Sequence, residues 1–175
     1  LKDKVAIITG AASARGLGFA TAKLFAENGA KVVIIDLNGE ASKTAAAALG
    51  EGHLGLAANV ADEVQVQAAI EQILAKYGRV DVLVNNAGIY GPQDFYATDD
   101  ATWDNYWQTN VMSGVRLSRG LLPAMVSKGW GRVVFISSES ARNIPADMIH
   151  YGVTKTAQLS LARGLAKYVA GSGVT

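Results

Sequence analysis

Residues 4–36, "KVAIITGAASARGLGFATAKLFAENGAKVVIID", hold two apolar runs separated by a helical pattern. The runs Lys4–Thr9 and Lys31–Asp36 are rich in Val and Ile and nearly continuous in hydrophobicity, which is typical of strands buried on both faces. Between them, Gly16–Glu27 has the periodicity of a helix and ends before Gly29, a common helix stop. The stretch therefore predicts a β-α-β unit with parallel strands.

The same alternation continues along the rest of the chain. Three further strands are predicted, at His53–Asn59, Val80–Asn86 and Arg132–Ser137. Four further helices are predicted, at Glu40–Leu49, Ala61–Tyr77, Ala101–Ser127 and Met148–Ala170. This order predicts an α/β protein with a parallel sheet and helices on both of its faces. We expect residues 1–175 to form a single domain, truncated at the C-terminus, because Val174-Thr175 resembles the start of another apolar segment.

Composition excludes several classes of protein. The net charge is +1 and the basic residues are scattered, which argues against a nucleic-acid partner. The chain has no cysteine, and His53 and His150 have no partner at ligand spacing, so we expect no metal site. No apolar run approaches the ~20 residues of a membrane span and no signal peptide is visible, so we expect a cytoplasmic enzyme or binding protein with no membrane partner.

In such a sheet, ligands bind beyond the carboxyl ends of the strands. Gly10, Gly16 and Gly18 lie between a predicted strand and a predicted helix, where glycine lets the backbone approach a pyrophosphate. Their spacing is G-x5-G-x-G rather than G-x-G-x-x-G, so an ordinary turn explains the loop equally well. Asp36 ends the second strand 20 residues after Gly16, and its carboxylate can accept hydrogen bonds from adenosine ribose hydroxyls. The loop and the acid together favour dinucleotide binding over a solvated loop acid.

The segment "HYGVTKTA" places Tyr151 and Lys155 four residues apart, on one face of a predicted helix. A cation beside a phenol favours its ionised form and makes a proton donor or acceptor usable near neutral pH. Ser138 ends "RVVFISS" and can hydrogen-bond a substrate oxygen, whereas Ser137 points to the other face of the strand. Taken singly, these residues also suit a surface Tyr–Lys pair and a hydroxyl that caps a turn.

Several motifs now stand in order along the chain: the Gly-rich turn "TGAASARGLG", Asp36, "NNAG" at 85–88, Asn110 in "WQTNV", the serine in "FISS" and "YGVTK". In this order and at these intervals they resemble the short-chain dehydrogenase/reductase family, from about residue 3 to the end of the chain. The resemblance implies a doubly wound Rossmann fold, a three-layer α/β/α sandwich, that uses NAD or NADP to interconvert alcohols and carbonyls. It also implies C-terminal strands and a substrate lid that this chain does not contain.

The resemblance implies four catalytic residues. Tyr151 would be the general acid/base on the substrate oxygen, and Lys155 would lower its pKa and bind the nicotinamide ribose. Ser138 would hold and polarise the carbonyl. Asn110 would help to anchor a water that relays protons to Lys155; the alternative is a locally satisfied polar residue inside a helix.

The resemblance also implies a cofactor site along the carboxyl ends of the strands. The loop has two more residues between Gly10 and Gly16 than the family's usual T-G-x3-G-x-G, and Asn59 stands where most members have Asp. The expected cofactor contacts are Gly10, Ser13, Arg15, Gly16, Leu17, Gly18, Asp36, Leu37, Asn59, Val60, Asn86, Ala87, Gly88, Tyr151 and Lys155.

The choice of cofactor depends on two residues of opposite charge. An ionised Asp36 would repel the 2′-phosphate of NADP, which favours NAD. Arg15 would pair with that phosphate in NADP-preferring relatives. Because those relatives usually lack an acid at the end of the second strand, we expect NAD, with NADP less favoured.

We therefore expect an NAD-dependent oxidoreductase that interconverts a secondary alcohol and a ketone, acting on a small-molecule alcohol or carbonyl substrate. Two alternatives remain: a non-catalytic dinucleotide-binding protein on the same fold, and an NADH-dependent enoyl reductase, although such enzymes typically place the Lys seven residues after the Tyr. Relatives pair through the helices that correspond to 101–127 and 148–170, so we expect a homodimer or homotetramer.

Overall fold

The structure is a computed structural model that describes all 175 residues, Leu1–Thr175. Five parallel strands form one sheet: β1 (Val5–Thr9), β2 (Lys31–Asp36), β3 (Leu54–Ala57), β4 (Val82–Asn85) and β5 (Arg132–Phe135). Their order across the sheet is β3-β2-β1-β4-β5. The chain winds outward from β1 in one direction and then, from β4, in the other, so the fold is the predicted doubly wound Rossmann fold.

Helices cover both faces of the sheet. They are α1 (Leu17–Glu27), α2 (Gly39–Ala48), α3 (Glu63–Tyr77), α4 (Asp100–Trp107), α5 (Ser113–Lys128) and α6 (Ile149–Tyr168). None of them combines the length and the hydrophobicity that a membrane-spanning segment requires.

Alternate residues of the central strands bury on opposite faces of the sheet, as the pleat dictates. Ile7 of β1 belongs to a cluster that includes Ile70 of α3 and Leu121 of α5. Ile8, the next residue along β1, belongs to a second cluster, with Ala22 of α1 and Ala45 of α2. Both clusters are apolar, which explains why the strands are nearly continuous hydrophobic runs.

The helical segment predicted over Ala101–Ser127 is present, but it is not α-helical throughout. A π-helical turn at Gln108–Met112 separates α4 from α5. A π turn adds one residue to a turn of a backbone that stays helical, so the helical pattern of the sequence does not reveal it.

Three strands are shorter than predicted, and a side chain takes part in the hydrogen bonding beside one end of each. The Nδ1 atom of His53 accepts a hydrogen bond from the Val32 N–H at 3.0 Å, so β3 begins only at Leu54. The Asp81 carboxylate accepts from the Val5 N–H at 2.9 Å, just before β4. After β5, the Ile136 carbonyl accepts a hydrogen bond from the Lys155 side chain of α6 at 2.8 Å, and the chain then leaves the sheet.

Candidate active site

The carboxyl ends of the strands border a cleft of about 750 Å³ at the point where the strand order reverses. This is the position at which a doubly wound sheet binds ligands. Most of the predicted cofactor positions line it: Gly10, Arg15, Gly16, Leu17, Asp36, Leu37, Asn59, Val60, Asn86, Ala87 and Gly88. Seven further wall residues are not among the predicted cofactor contacts: Ile35, Ala58, Ala61, Ile89, Tyr90, Asn105 and Thr109.

Asn105 and Thr109 lie four residues apart on α4 and the following turn, so they share one helix face. That spacing is visible in the sequence, but nothing there shows which face meets the cleft.

Two glycines of the loop bring it into contact with the "NNAG" segment. Gly10 has φ +63°, and a Cβ there would lie 2.7 Å from the Ala87 Cα. A Cβ on Gly18 would lie 2.6 Å from the Asn86 Nδ2. Gly18 therefore packs beneath the cleft rather than lining it, and Ser13 also stays outside the wall, where its carbonyl accepts from the Gly16 N–H at 2.9 Å.

Asn86 fixes this contact with its side chain. Its Nδ2 donates to the carbonyl oxygens of Thr9 and Gly10 at 2.8 and 3.0 Å. The Thr9 hydroxyl in turn accepts from the N–H groups of Asn86 and Ala87 at 3.1 and 3.0 Å. Asn86 thus lines the cleft as predicted, but its amide donors are committed to the protein, so it shapes the wall rather than offering free donors.

The N-terminus of α1 opens at the cleft without a capping side chain. Its N-cap residue is Gly16, and no acidic residue lies in its first turn. By contrast, side chains of Asn38, Asp62 and Asp99 cap α2, α3 and α4. The first N–H groups of a helix have no intrahelical acceptor and carry the positive end of the helix dipole, so an anion is stabilised there.

Asp36 and Arg15 share the cleft wall. The Asp36 Oδ2 accepts from the Ala12 N–H at 3.1 Å and Oδ1 from the Asn38 N–H at 3.5 Å, which holds the carboxylate in place. A carboxylate has about four acceptor sites, so capacity remains for two ribose hydroxyls. Arg15 is exposed and belongs to none of the protein's four ion pairs.

The two polar atoms of the Asn59 side chain differ: the oxygen is bonded to the protein and the nitrogen is not. Its Oδ1 accepts from the Ala61 N–H at 2.9 Å, and its backbone N–H donates to the Gln65 side chain at 2.9 Å. The NH2 group has no partner within the protein and belongs to the wall. Asn59 therefore offers the cleft a donor rather than the acceptor that an Asp would provide.

Tyr151 and Lys155 lie on α6 beside the far end of the cleft. The Lys155 Nζ is 5.5 Å from the centre of the Tyr151 ring, and Tyr90 of the cleft wall packs against that ring at 6.4 Å between centroids. Lys155 is 4% exposed, and this burial lowers its pKa to about 8. Its Nζ donates to the Ile136 carbonyl at 2.8 Å and to the Gln158 Oε1 at 3.1 Å.

The two serines after β5 have separate roles, as their alternation predicts. The Ser137 hydroxyl donates to the Lys155 carbonyl at 3.2 Å and ties α6 to the sheet. The Ser138 Oγ accepts from the Ser140 N–H at 3.1 Å and caps a short 3-10 turn, Glu139–Ala141. The Ser138 hydroxyl hydrogen is not used in that bond, so it can still donate to a substrate oxygen.

Asn110 is fully buried in the π-helical turn. Its side chain accepts from the Ile89 N–H at 2.8 Å and donates to the Ile89 carbonyl and the Thr154 hydroxyl, both at 3.0 Å. Its backbone carbonyl accepts from the Gln158 Nε2 at 2.6 Å. Sequence reasoning placed Asn110 near Lys155 but missed Gln158, which contacts both and lies on the Tyr151–Lys155 helix face three residues after Lys155.

The residues of the cleft fit a nicotinamide dinucleotide. An uncapped helix N-terminus faces the glycine loop, whose close approach to Ala87 leaves no space for a side chain at Gly10. The Asp36 carboxylate stands at the end of β2, where a ribose would present its hydroxyls.

Comparison with known proteins agrees with this geometry. The short chain dehydrogenase family model matches residues 4–175. An uncharacterized oxidoreductase of Bacillus subtilis (strain 168), YvrD, is 39% identical over 180 residues, which cover 100% of this chain and 66% of the relative. The 3-oxoacyl-(acyl-carrier-protein) reductase FabG of Escherichia coli (strain K12) is 34% identical over 174 residues, covering 99% of this chain and 70% of FabG.

Among solved structures, a 3-ketoacyl-(acyl-carrier-protein) reductase from Brucella melitensis complexed with NADH superposes with a TM-score of 0.94 at 35% identity. The superposition covers 99% of this chain and 73% of that one. The chain spans about two thirds of the length of its first curated relatives, at 66%. The predicted family and fold are confirmed, and the chain belongs to the short chain dehydrogenase family of oxidoreductases.

Proposed function

We propose that this chain carries the active site of an NAD-dependent oxidoreductase that interconverts a secondary alcohol and a ketone. The observation that carries the proposal is the position of Lys155, buried beside Tyr151 with two of its three N–H groups bonded to the protein. The third N–H remains for a ligand or for the phenol. A sensor that only binds dinucleotides has no need of this arrangement together with Ser138, which argues against the non-catalytic alternative.

Each side chain has a role at a stated atom. In the direction of reduction, the Tyr151 phenol gives its proton to the substrate oxygen, and the Ser138 hydroxyl donates a hydrogen bond to the same oxygen. The Lys155 ammonium favours the phenolate that this transfer leaves behind. The nicotinamide cofactor, when bound, supplies or accepts the hydride. The proton and the hydride together complete the two-electron reduction of the carbonyl.

We infer a preference for NAD over NADP. The Asp36 carboxylate is held in the wall by two backbone N–H groups, so it cannot easily turn away from a 2′-phosphate. Arg15 lines the same wall, is exposed and belongs to no ion pair, so it is the one residue whose charge opposes this preference.

A β-ketoacyl thioester is the second candidate within the same reaction class. It is favoured by the similarity to reductases from Escherichia coli and Brucella melitensis that act on such groups by name. Reduction of an enoyl double bond is less well supported, because Lys155 follows Tyr151 by four residues and not seven.

We also propose a cytoplasmic homodimer or homotetramer formed by a single domain, with contacts through the segments 101–127 and 148–170. Large apolar side chains stand exposed on these helices, at Trp107, Val126, Val153 and Tyr168. Light scattering of the full chain should give a mass of two or four protomers, and a monomeric mass would contradict the proposal.

The activity is tested by incubating the purified protein with NADH and acetoacetyl-CoA, and separately with NAD and a panel of secondary alcohols and polyols. Turnover appears as a change in the near-ultraviolet absorbance of NADH. We expect turnover with at least one of these probes, and a higher kcat/KM with NAD(H) than with NADP(H). Crotonyl-CoA with NADH distinguishes the enoyl reductase alternative.

A further inference from the structure

Gln158 lies in the middle of α6 with a side chain that is 2% exposed. It follows Lys155 by three residues and Tyr151 by seven, so the three side chains share one face of the helix. The polar atoms of a buried glutamine must be hydrogen-bonded, because an unpaired amide in the interior costs free energy. The hydrogen-bond partners of the Gln158 carboxamide therefore indicate what this side chain does in the protein.

Both ends of the Gln158 carboxamide are bonded to residues of the proposed catalytic set. Its Oε1 accepts from the Lys155 Nζ at 3.1 Å, and its Nε2 donates to the Asn110 carbonyl at 2.6 Å. An ammonium can only donate and a carbonyl can only accept, so these partners fix which end of the amide is which. The side chain thus bridges α6 to the π-helical turn.

The Asn110 end of this bridge is immobilised from several sides. The Asn110 side chain bonds both backbone groups of Ile89 and the hydroxyl of Thr154. Its carbonyl is consequently a fixed point to which Gln158 is attached.

The Lys155 end of the bridge lies against the wall of the cleft. A Cβ placed on Gly88 would lie 3.6 Å from the Lys155 Nζ and 3.2 Å from the Asn110 Oδ1. Gln158 and the Ile136 carbonyl occupy two of the three N–H groups of the ammonium, and together they set the direction of the third.

The partner that Gln158 offers is neutral. Lys155 takes part in none of the protein's four ion pairs. The titratable groups near it are Tyr151, whose ring centre is 5.5 Å from Nζ, and beyond that ring Tyr106 and His150, which pack together at 4.3 Å. No carboxylate counterbalances the burial that lowers the Lys155 pKa to about 8.

We propose that Gln158 is a positioning residue of the active site, whose carboxamide ties the Lys155 ammonium to the Asn110 carbonyl and directs its remaining N–H into the cleft without adding a charge. This inference rests on the proposed function, in which Lys155 acts on Tyr151 and on a cofactor ribose. It assigns to a side chain the link between Lys155 and Asn110 that the family resemblance assigns to a water.

Two substitutions separate the geometry from the charge. Gln158→Met keeps the size but removes both hydrogen bonds, and we expect kcat to fall about 10- to 100-fold with KM for acetoacetyl-CoA nearly unchanged, because the ammonium loses its fixed direction. Gln158→Glu keeps an acceptor for Lys155, loses the donor to the Asn110 carbonyl and adds a negative charge. We expect it to move the basic limb of the pH profile of kcat/KM upward by about one pH unit or more.

Ser172→Ala is the matched control, because the Ser172 hydroxyl donates to the Val169 carbonyl at 2.6 Å and accepts from the Val174 N–H at 3.3 Å, beyond the C-terminal end of α6 and away from the cleft. It should lose comparable thermal stability and keep the kcat of the unaltered protein. The pH dependence of NADH affinity, followed by fluorescence, is measured in parallel and should shift upward in Gln158→Glu. That readout requires no turnover and needs only one of the two variants to fold.

The outcomes distinguish this inference from the proposed function. If Tyr151→Phe abolishes turnover while both Gln158 variants keep the original kcat and the original pH dependence of NADH affinity, Gln158 is only a packing residue. If no probe turns over, the proposed function fails. In that case an unshifted NADH-binding profile in Gln158→Glu would overturn this inference too, and a shifted one would support it.

Discussion

The amino edge and the carboxyl edge of the sheet are formed by the same strands, but their polar groups differ in how many hydrogen bonds they make within the protein. At the amino edge, the fully buried Asp81 accepts from Arg79, Lys128 and the Val5 N–H, so all of its capacity is used within the protein. Nearby, the Trp130 ring lies between the cations of Lys4 and Arg132, at 4.0 and 4.6 Å from its centre.

At the carboxyl edge, donors are held in place but left unused. They are the first N–H groups of α1, the Asn59 NH2, the Ser138 hydroxyl and the third N–H of Lys155. None of these donors has an acceptor within the protein, and they lie in or beside the wall of a cleft of about 750 Å³, so they are placed to bond a polar ligand. The proposal that the carboxyl edge binds ligands while the amino edge only stabilises the fold therefore predicts different consequences for mutations at each edge.

The largest effect on stability is expected at the amino edge. Asp81→Asn should cost on the order of 3 kcal/mol of unfolding free energy, because it leaves two cations and a backbone N–H without a carboxylate. Urea unfolding measures the loss, and NADH affinity below the transition should be unchanged. If Asp81→Asn were as stable as the parent, the ion pairs of Asp81 with Arg79 and Lys128 would contribute nothing to the free energy of unfolding.

The same residue predicts a pH dependence. Burial tends to raise the pKa of Asp81, but the hydrogen bonds from Arg79, Lys128 and Val5 outweigh it and hold the pKa below its ordinary value. The unfolded chain then binds the proton more readily, so the stabilisation is complete above about pH 4 and is lost as the pH falls through the lowered pKa. The stability gap between the parent and Asp81→Asn should therefore close in acid.

Next in size is the effect of placing a capping side chain at the start of α1, as α2, α3 and α4 have. Gly16 has extended backbone angles, φ −85° and ψ 154°, which an N-cap Asp adopts readily. Gly16→Asp should raise the Kd for NADH about 10- to 100-fold, because its carboxylate competes with the pyrophosphate for the helix N–H groups. Gly16→Ser, a cap without charge, should have a smaller effect. Unaltered NADH affinity in Gly16→Asp would mean that the loop does not bind the pyrophosphate.

Asp36→Ser tests the other charged position on the cleft wall. Removing the carboxylate should raise the ratio of kcat/KM for NADPH over NADH about tenfold, because Arg15 is then unopposed beside a 2′-phosphate. Steady-state kinetics with both cofactors measure the ratio, and Arg15→Ala in the same background should reverse the gain. No change in the ratio would contradict the NAD preference.

The smallest effect is expected where a helix is capped and carries no function. The Asp62 Oδ1 accepts from the Gln65 N–H at 3.1 Å at the start of α3. Asp62→Ala should lower the midpoint of thermal unfolding slightly and leave NADH affinity unchanged, because only the first turn of α3 loses its cap. A clear loss of NADH affinity in Asp62→Ala would contradict the claim that the N-terminus of α1, and not that of α3, contributes to cofactor binding.

The sequence predicts the sheet and the position of its cleft well, because both follow from local patterns. Val and Ile runs define the strands, and residues that follow them must gather at one edge. Local patterns also identify three candidate catalytic residues: Ser138 from its place after a strand, and Tyr151 and Lys155 from their four-residue spacing on a helix. Their catalytic roles remain predictions.

The details that depend on tertiary contact were missed. The π turn at Gln108–Met112 lies inside a continuous helical segment, and the role proposed for Gln158 depends on a carbonyl 48 residues away. His53 lies just before β3 and accepts a hydrogen bond from the Val32 N–H, a contact that only the folded sheet creates.

The most direct test of the active site is the turnover of Tyr151→Phe compared with its NADH affinity. The substitution removes one hydroxyl and keeps the ring that packs against Tyr90. We expect kcat to fall about 100- to 10,000-fold, since a general acid contributes that much, while the Kd for NADH stays within about twofold. Turnover equal to that of the parent enzyme would contradict the assignment of Tyr151 as the acid/base.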